Sequence, residues 1–139
     1  MESKYDTYNH SKFSIRYHII LSVKYHKKIL RFFIDDLKKS FISAQDSSHD
    51  WKIEKMETDL KNGKDHHIHF MIKSKPTVAP YEIISRLKRY STVEMWRYHE
   101  DVLKRIFLTG KHLLWSRGYF CCSIGNASKE TIAKYIEEH

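Results

Sequence analysis

Glycine, proline and cysteine are all scarce in this chain: four, two and two residues among 139. Such low Gly and Pro content excludes collagen-like repeats and Pro/Gly-rich low-complexity tracts, and the generous aromatic content argues against disorder. Cys121 and Cys122 are adjacent and cannot comfortably bridge each other, so they read as small buried residues, neither a disulfide framework nor a metal site. Long apolar runs are missing too. Met1 to His10 is polar, and the stretch Ile19 to Val23 is far too short for a membrane span or a signal-peptide core. The expectation is a cytoplasmic protein with no membrane segment. At this length the chain fits one domain over residues 1–139, large enough to bury a real core.

Acidic residues are the minority charge. Twenty-five Lys and Arg face 17 Asp and Glu, for a net charge of +8. A basic surface favours polyanions, with nucleic acid ahead of an acidic membrane. Many basic proteins bind neither, so charge alone leaves the partner open.

Residues 1–13 lack apolar periodicity and are expected to form a loose arm. Tyr17, Ile19, Leu21 and Val23 alternate in a strand over Arg16 to Tyr25. Leu30, Ile34, Leu37, Phe41 and Ile42 recur at helical spacing, predicting a helix over 28–45. Trp51 to about Asp59 alternates as a second strand. Asn62-Gly63 then signals a hairpin into a third strand from about Asp65 to Lys73. Pro80 suits the first turn of a helix carrying Ile83, Ile84, Leu87 and Tyr90, with a further helical stretch around Val102 to Phe107. A strand over Tyr119 to Ile124 and a short helix over Lys129 to Glu138 close the chain. This order predicts an α+β fold, a ferredoxin-like sandwich whose antiparallel sheet has helices on one face.

Asp65-His66-His67-Ile68-His69-Phe70 carries the chemistry. In a strand, His67 and His69 project from one face and can converge on a cation, while Ile68 and Phe70 face the core. His66 points to the other face. With ten histidines in the chain such a pair also arises by chance, and two ligands are fewer than a firm metal site needs. Tyr135 and His139 stand four apart, on one face of the closing helix. Should that helix lie across the histidine face, His139 could be a third ligand with Tyr135 nearby. Taken alone, Tyr135 in an amphipathic helix is more often a core aromatic.

The series resembles a known family. His67-Ile68-His69 follows a short hairpin. Later come Trp115-Ser116-Arg117-Gly118-Tyr119-Phe120, Ser123-Ile124-Gly125-Asn126 and Lys134-Tyr135-Ile136-Glu137-Glu138. Arg16-Tyr17-His18-Ile19-Ile20, with Val23-Lys24-Tyr25-His26-Lys27-Lys28, is similar to the family's first strand and its basic exit. In order and spacing, over nearly the whole chain, these words look like the insertion sequence 200/605 family of single-tyrosine HUH transposases. Two departures stand out: His66 intervenes between Asp65 and the first histidine of the pair, and His139 stands where the family often has Gln.

The resemblance implies a DNA transposase that cleaves and rejoins single-stranded DNA through a 5′-phosphotyrosine, with Tyr135 as nucleophile on the C-terminal helix. It implies a divalent metal, Mg or Mn, held by His67, His69 and His139. Its partners would be hairpin-containing element ends and a second copy of the chain, with active sites shared across a homodimer. For DNA binding, Lys24, Lys27 and Lys28 after the first strand and Arg86, Lys88 and Arg89 on the second helix suit phosphates, and Tyr25 and Tyr90 suit stacking on unpaired bases. The alternatives are a non-catalytic single-stranded nucleic-acid-binding module on the same sheet and an inactive transposase copy.

Overall fold

The structure, a computed structural model, describes residues 6–8, 11–13, 15–124 and 136–137. Eight elements run in the order β1 (Asp6–Tyr8), β2 (Ser11–Phe13), β3 (Arg16–Ser22), α1 (Leu30–Asp46), β4 (Trp51–Asp59), β5 (Lys64–Ser74), α2 (Pro80–Phe107) and β6 (Phe120–Ser123). β3, β4, β5 and β6 form one antiparallel sheet in the order β4-β5-β3-β6. Counting those four alone, the spatial order is second, third, first, fourth, which is the ferredoxin-like arrangement expected from the element order. The arm expected to be loose instead contains a small antiparallel pair, Asp6 opposite Phe13 and Tyr8 opposite Ser11. Three-residue strands are too short to register as a periodic pattern.

Alternation along the two central strands sorts their side chains. Ile19, Leu21 and Val23 of the β3 segment and Ile68, Phe70 and Ile72 of β5 join one core with Phe33, Leu37 and Phe41 of α1 and Ile83, Ile84, Leu87 and Met95 of α2. Phe41 meets Phe70 edge to face at 4.8 Å, tying α1 to the middle of β5. Each of these fully buried side chains contributes roughly 1.5–3 kcal/mol of hydrophobic stabilisation. The opposite parity of β5 puts His67, His69 and Met71 on the other face of the sheet.

The helical pattern around residues 102–107 proves to be the end of α2, which runs unbroken from Pro80 except at His99, where φ is −131° and ψ is 30°. There the His99 imidazole lies 2.7 Å from Asp36 of α1 and 4.9 Å from the Phe33 ring, so the irregular residue is held by the neighbouring helix. Among the described residues no helix is long and apolar enough to cross a membrane.

Two local departures shape the region of the histidines. First, β3 ends at Ser22, earlier than Tyr25, because Tyr25 and His26 both adopt left-handed backbone, with φ of 58° and 53°. Non-glycine residues there cost on the order of 1–2 kcal/mol each, so the surroundings must hold them. Second, Thr58 pairs with Ile68 but Asp59 pairs with Lys64, so the β4 ladder skips Asp65, His66 and His67. β3 stays in register with this bulge through Ser22 opposite His67 and a 2.8 Å bond from the Val23 N–H to the His66 carbonyl. The turn before it is a short 3-10 segment, Leu60–Asn62, closed by Gly63 at φ 73°, a left-handed position that suits glycine.

Candidate functional site

Three side chains come together at one end of the sheet. Asp59, the last residue of β4, places Oδ2 2.7 Å from Nε2 of His69 and 3.6 Å from Nδ1 of His67. Both imidazoles of the sequence pair therefore turn a nitrogen toward the same carboxylate oxygen. His67 is fully buried, whereas His69 and Asp59 keep a narrow opening to solvent. On its far side, His69 Nδ1 lies 3.1 Å from Nε2 of His18, which projects from β3 on the same face. Both contacts are satisfied together when His69 Nε2–H donates to Asp59 and His69 Nδ1 accepts from His18 Nε2–H. Burial first, then the neighbouring His69, lowers the His18 pKa below the usual histidine value, favouring the neutral ring this chain of bonds requires. A small cavity of about 120 Å³, lined by His18, Lys55, Glu57, His69, Phe70 and Met71, opens beside the pair.

Asp65 and His66, which precede the pair, have their own partners. Asp65 is fully buried and accepts from the backbone N–H of Arg31 at 2.9 Å and from its guanidinium Nε at 2.6 Å. That carboxylate serves as an N-terminal cap for α1, whose own N-cap residue, Ile29, offers no side-chain acceptor. His66 stacks on His26 at 4.6 Å and meets the His67 ring at 4.1 Å. Asp65 thus ties the strand bearing the pair to the start of α1, and His66 ties it to the segment leaving β3.

Comparison with known proteins adds the decisive observation. The sequence pattern of the family described as "Transposase IS200 like" matches residues 11–139. The chain belongs to the IS200-like transposase family. No curated protein matches it significantly. Among solved structures, a candidate transposase from Deinococcus radiodurans R1 superposes with a TM-score of 0.79 at 19% identity, covering 96% of each chain. A REP-associated tyrosine transposase bound to a REP hairpin superposes with a TM-score of 0.54 at 7% identity, over 95% of this chain and 68% of that one. At these identities both likenesses speak for the shared fold.

In this IS200-like chain the two basic groups expected from the sequence differ in character. Lys27 and Lys28 are exposed beside Tyr25 and His26, and the Lys24 ammonium lies 5.4 Å from the Tyr25 ring centre. On α2, by contrast, Lys88 Nζ donates to the carbonyls of Ser116, Arg117 and Gly118 at 2.9, 3.1 and 3.2 Å. Burial lowers its pKa from the ordinary lysine value. Lys88 holds the loop before β6. Arg86 reaches the Ser47 hydroxyl at the end of α1 at 3.0 Å, and only Arg89 of the three stands exposed, 5.7 Å from the Tyr90 ring.

Tyr135 and His139 lie outside the described residues. Ile136, next to Tyr135 in the chain, accepts a long hydrogen bond from Lys64 Nζ at 3.5 Å. His18 and Asp59 are the site residues that sequence reading misses. Strand alternation puts His18 on the right face, but only the register, His18 opposite Met71, reveals that it sits diagonal to His69. Asp59 shares the face of the pair through the pairing of β4 with β5, Glu57 opposite His69, which the sequence alone does not give.

Two imidazoles and a carboxylate are donor types that divalent metals take. Among the described residues no group of three or more His, Cys, Asp and Glu side chains is arranged as a complete site.

Proposed function

We propose that this chain is an active single-tyrosine transposase that cuts and rejoins single-stranded DNA at the ends of a mobile element. The observation that carries the reading is the convergence of His67, His69 and Asp59 at one end of the sheet in a chain of the IS200-like family. The Lys64 contact to Ile136 supports the assignment of the nucleophile, because it brings the residue after Tyr135 to the start of the strand that bears the pair.

In this reading the Tyr135 phenolic oxygen attacks the scissile phosphorus. The bond to the 3′ oxygen breaks, leaving a 3′-hydroxyl and a 5′-phosphotyrosine. A second 3′-hydroxyl then attacks the phosphotyrosine, forms the new phosphodiester and returns the phenol. The number of phosphoester bonds is conserved, so no external energy source is needed. A phenol with a pKa near ~10 needs help at neutral pH. His67, His69 and His139 would hold a divalent ion, Mg or Mn, whose charge would polarise the phosphate. His18 would hold Nδ1 of His69, leaving Nε2, which faces Asp59, for the ion, and such an outer partner fixes a ligand's tautomer and direction. Half-buried Lys24 and exposed Lys27, Lys28 and Arg89 supply phosphate contacts. The partner is an element end, single-stranded and hairpin-containing, which fits the hairpin bound by the REP-associated relative. Two copies form a homodimer with shared active sites.

A denaturing gel tests the chemistry. Wild type and Tyr135→Phe are each mixed with labelled single-stranded element ends and manganese. A covalent adduct with wild type alone is expected. No adduct from either protein, with DNA still bound, would leave a non-catalytic binding module or an inactive copy. Mixing His67→Ala with Tyr135→Phe tests the dimer: shared sites recover cleavage, and sites completed within one chain do not.

A further inference from the structure

We propose that the segment Lys24 to Lys28 is a base-stacking clamp, in which Tyr25 stacks on an unpaired base of the DNA strand entering the histidine site. The proposal rests on the transposase reading and deepens it. Four independent observations lead to it. Tyr25 and His26 hold consecutive left-handed backbone, which non-glycine residues adopt only where their surroundings impose it. The strain buries nothing at Tyr25, which remains 63% exposed. A core aromatic would be turned inward; here the backbone turns the ring out. Lys24 Nζ lies 5.4 Å from the ring centre, and Lys27 and Lys28 are exposed next to it, so a flat aromatic surface stands among cations suited to a phosphodiester chain.

The segment is also fixed in place, as a stacking platform has to be. The Lys24 N–H donates to the Leu114 carbonyl at 2.8 Å, and the His26 N–H to the Val23 carbonyl at 3.0 Å. His26 stacks on His66, which meets the ring of His67. Just downstream, Arg31 is locked to buried Asp65 through both backbone and side chain. Asp65 and His66 immediately precede His67, so the strand that positions the metal-binding pair also positions the clamp. This gives the inserted His66 a role: it docks the clamp at a set place beside the site. Stacking tolerates any base, so Tyr25 would select unpaired over paired DNA rather than read sequence.

The test uses full-length protein and short single-stranded oligonucleotides of the element end. One set is intact, and in the other each position flanking the cleavage site is replaced in turn by an abasic nucleotide. Tyr25→Ala is expected to weaken binding of intact oligonucleotides by about five- to a hundredfold, with Tyr25→Phe close to wild type. At one abasic position wild type and Tyr25→Ala should bind equally. Equal binding of intact DNA by both overturns the clamp, as does a loss that persists at every abasic position. Adduct formation by wild type is scored on the same oligonucleotides. Its absence would sink the transposase reading, while the binding comparison still decides the stacking.

Discussion

Asp59 ends β4 with its carboxylate 2.7 Å from Nε2 of His69, at the point where the β4 ladder skips Asp65, His66 and His67 of β5. Glu57, two residues earlier, stands opposite His69, so Asp59 shares the face of the histidine pair. The strand end delivers a carboxylate to the place where two imidazole nitrogens meet.

The first expectation concerns that charge. Asp59→Asn keeps the shape and removes the anion. Manganese affinity, read by calorimetry, should fall by about ten- to a hundredfold, because the anion beside the two histidines favours a cation there. The fold should be unaffected, because Asp59 lies at a strand end. An affinity equal to wild type would mean that the carboxylate merely fills the space between the rings.

A second expectation concerns the core beneath α2. The Trp115 indole N–H donates to the Ser91 hydroxyl at 2.8 Å, and Ser91 is fully buried. Ser91→Ala leaves that donor without its acceptor and should cost about 1–3 kcal/mol in denaturant unfolding. A Trp115→Phe, Ser91→Ala double variant should lose less than the two single losses added together, since removing the indole removes the orphaned donor. Strict additivity would show that the bond contributes nothing.

Lys88 and Arg89 are neighbours in sequence but should behave differently. Arg89 is exposed, so Arg89→Ala should lower the salt dependence of single-stranded DNA binding by about 0.7 in log–log slope, the value of one phosphate contact. Lys88 is spent on three carbonyls of the loop before β6. Lys88→Ala should therefore lower stability and speed amide exchange around residues 116–118 while leaving the slope unchanged. A slope that drops for Lys88→Ala as it does for Arg89→Ala would return Lys88 to the DNA-binding surface.

These cases show what a sequence can and cannot convey. Strand parity is local, so the outward direction of His67 and His69 and the core role of Ile68 and Phe70 were legible from alternation alone. The order of elements was legible for the same reason, and with it the ferredoxin-like sheet. Ion-pair partners are not local. Nothing near Asp65 in sequence announces Arg31, 34 positions away, and nothing near Lys88 announces the carbonyls it holds. Left-handed backbone at Tyr25 is also silent, because it is imposed by tertiary contacts on residues with no intrinsic preference for it. The continuity of α2 was missed because His99 breaks the helical stripe where it answers to Asp36 rather than to the core.

The last expectation follows from Cys121 on β6. Burial, followed by the charge of neighbouring Cys122, pushes its pKa from 9.0 to about 11. The thiolate is the reactive form, so at about pH 8 only roughly one part in a thousand is available, against about a quarter for an ordinary thiol with a pKa near ~8.5. Alkylation by iodoacetamide, followed by mass spectrometry of the intact native protein, should be slower at Cys121 than in the unfolded chain by on the order of a hundredfold. The same shift links to stability. Between pH 9.0 and about 11 the unfolded chain releases a proton that the native thiol retains. The native state binds more protons there, so stability falls as pH rises through that window and is unaffected by this group below it. Cys121→Ser should flatten this alkaline loss. An unchanged alkaline slope in Cys121→Ser, with rapid alkylation of the native wild type, would mean that β6 opens readily enough to expose the thiol.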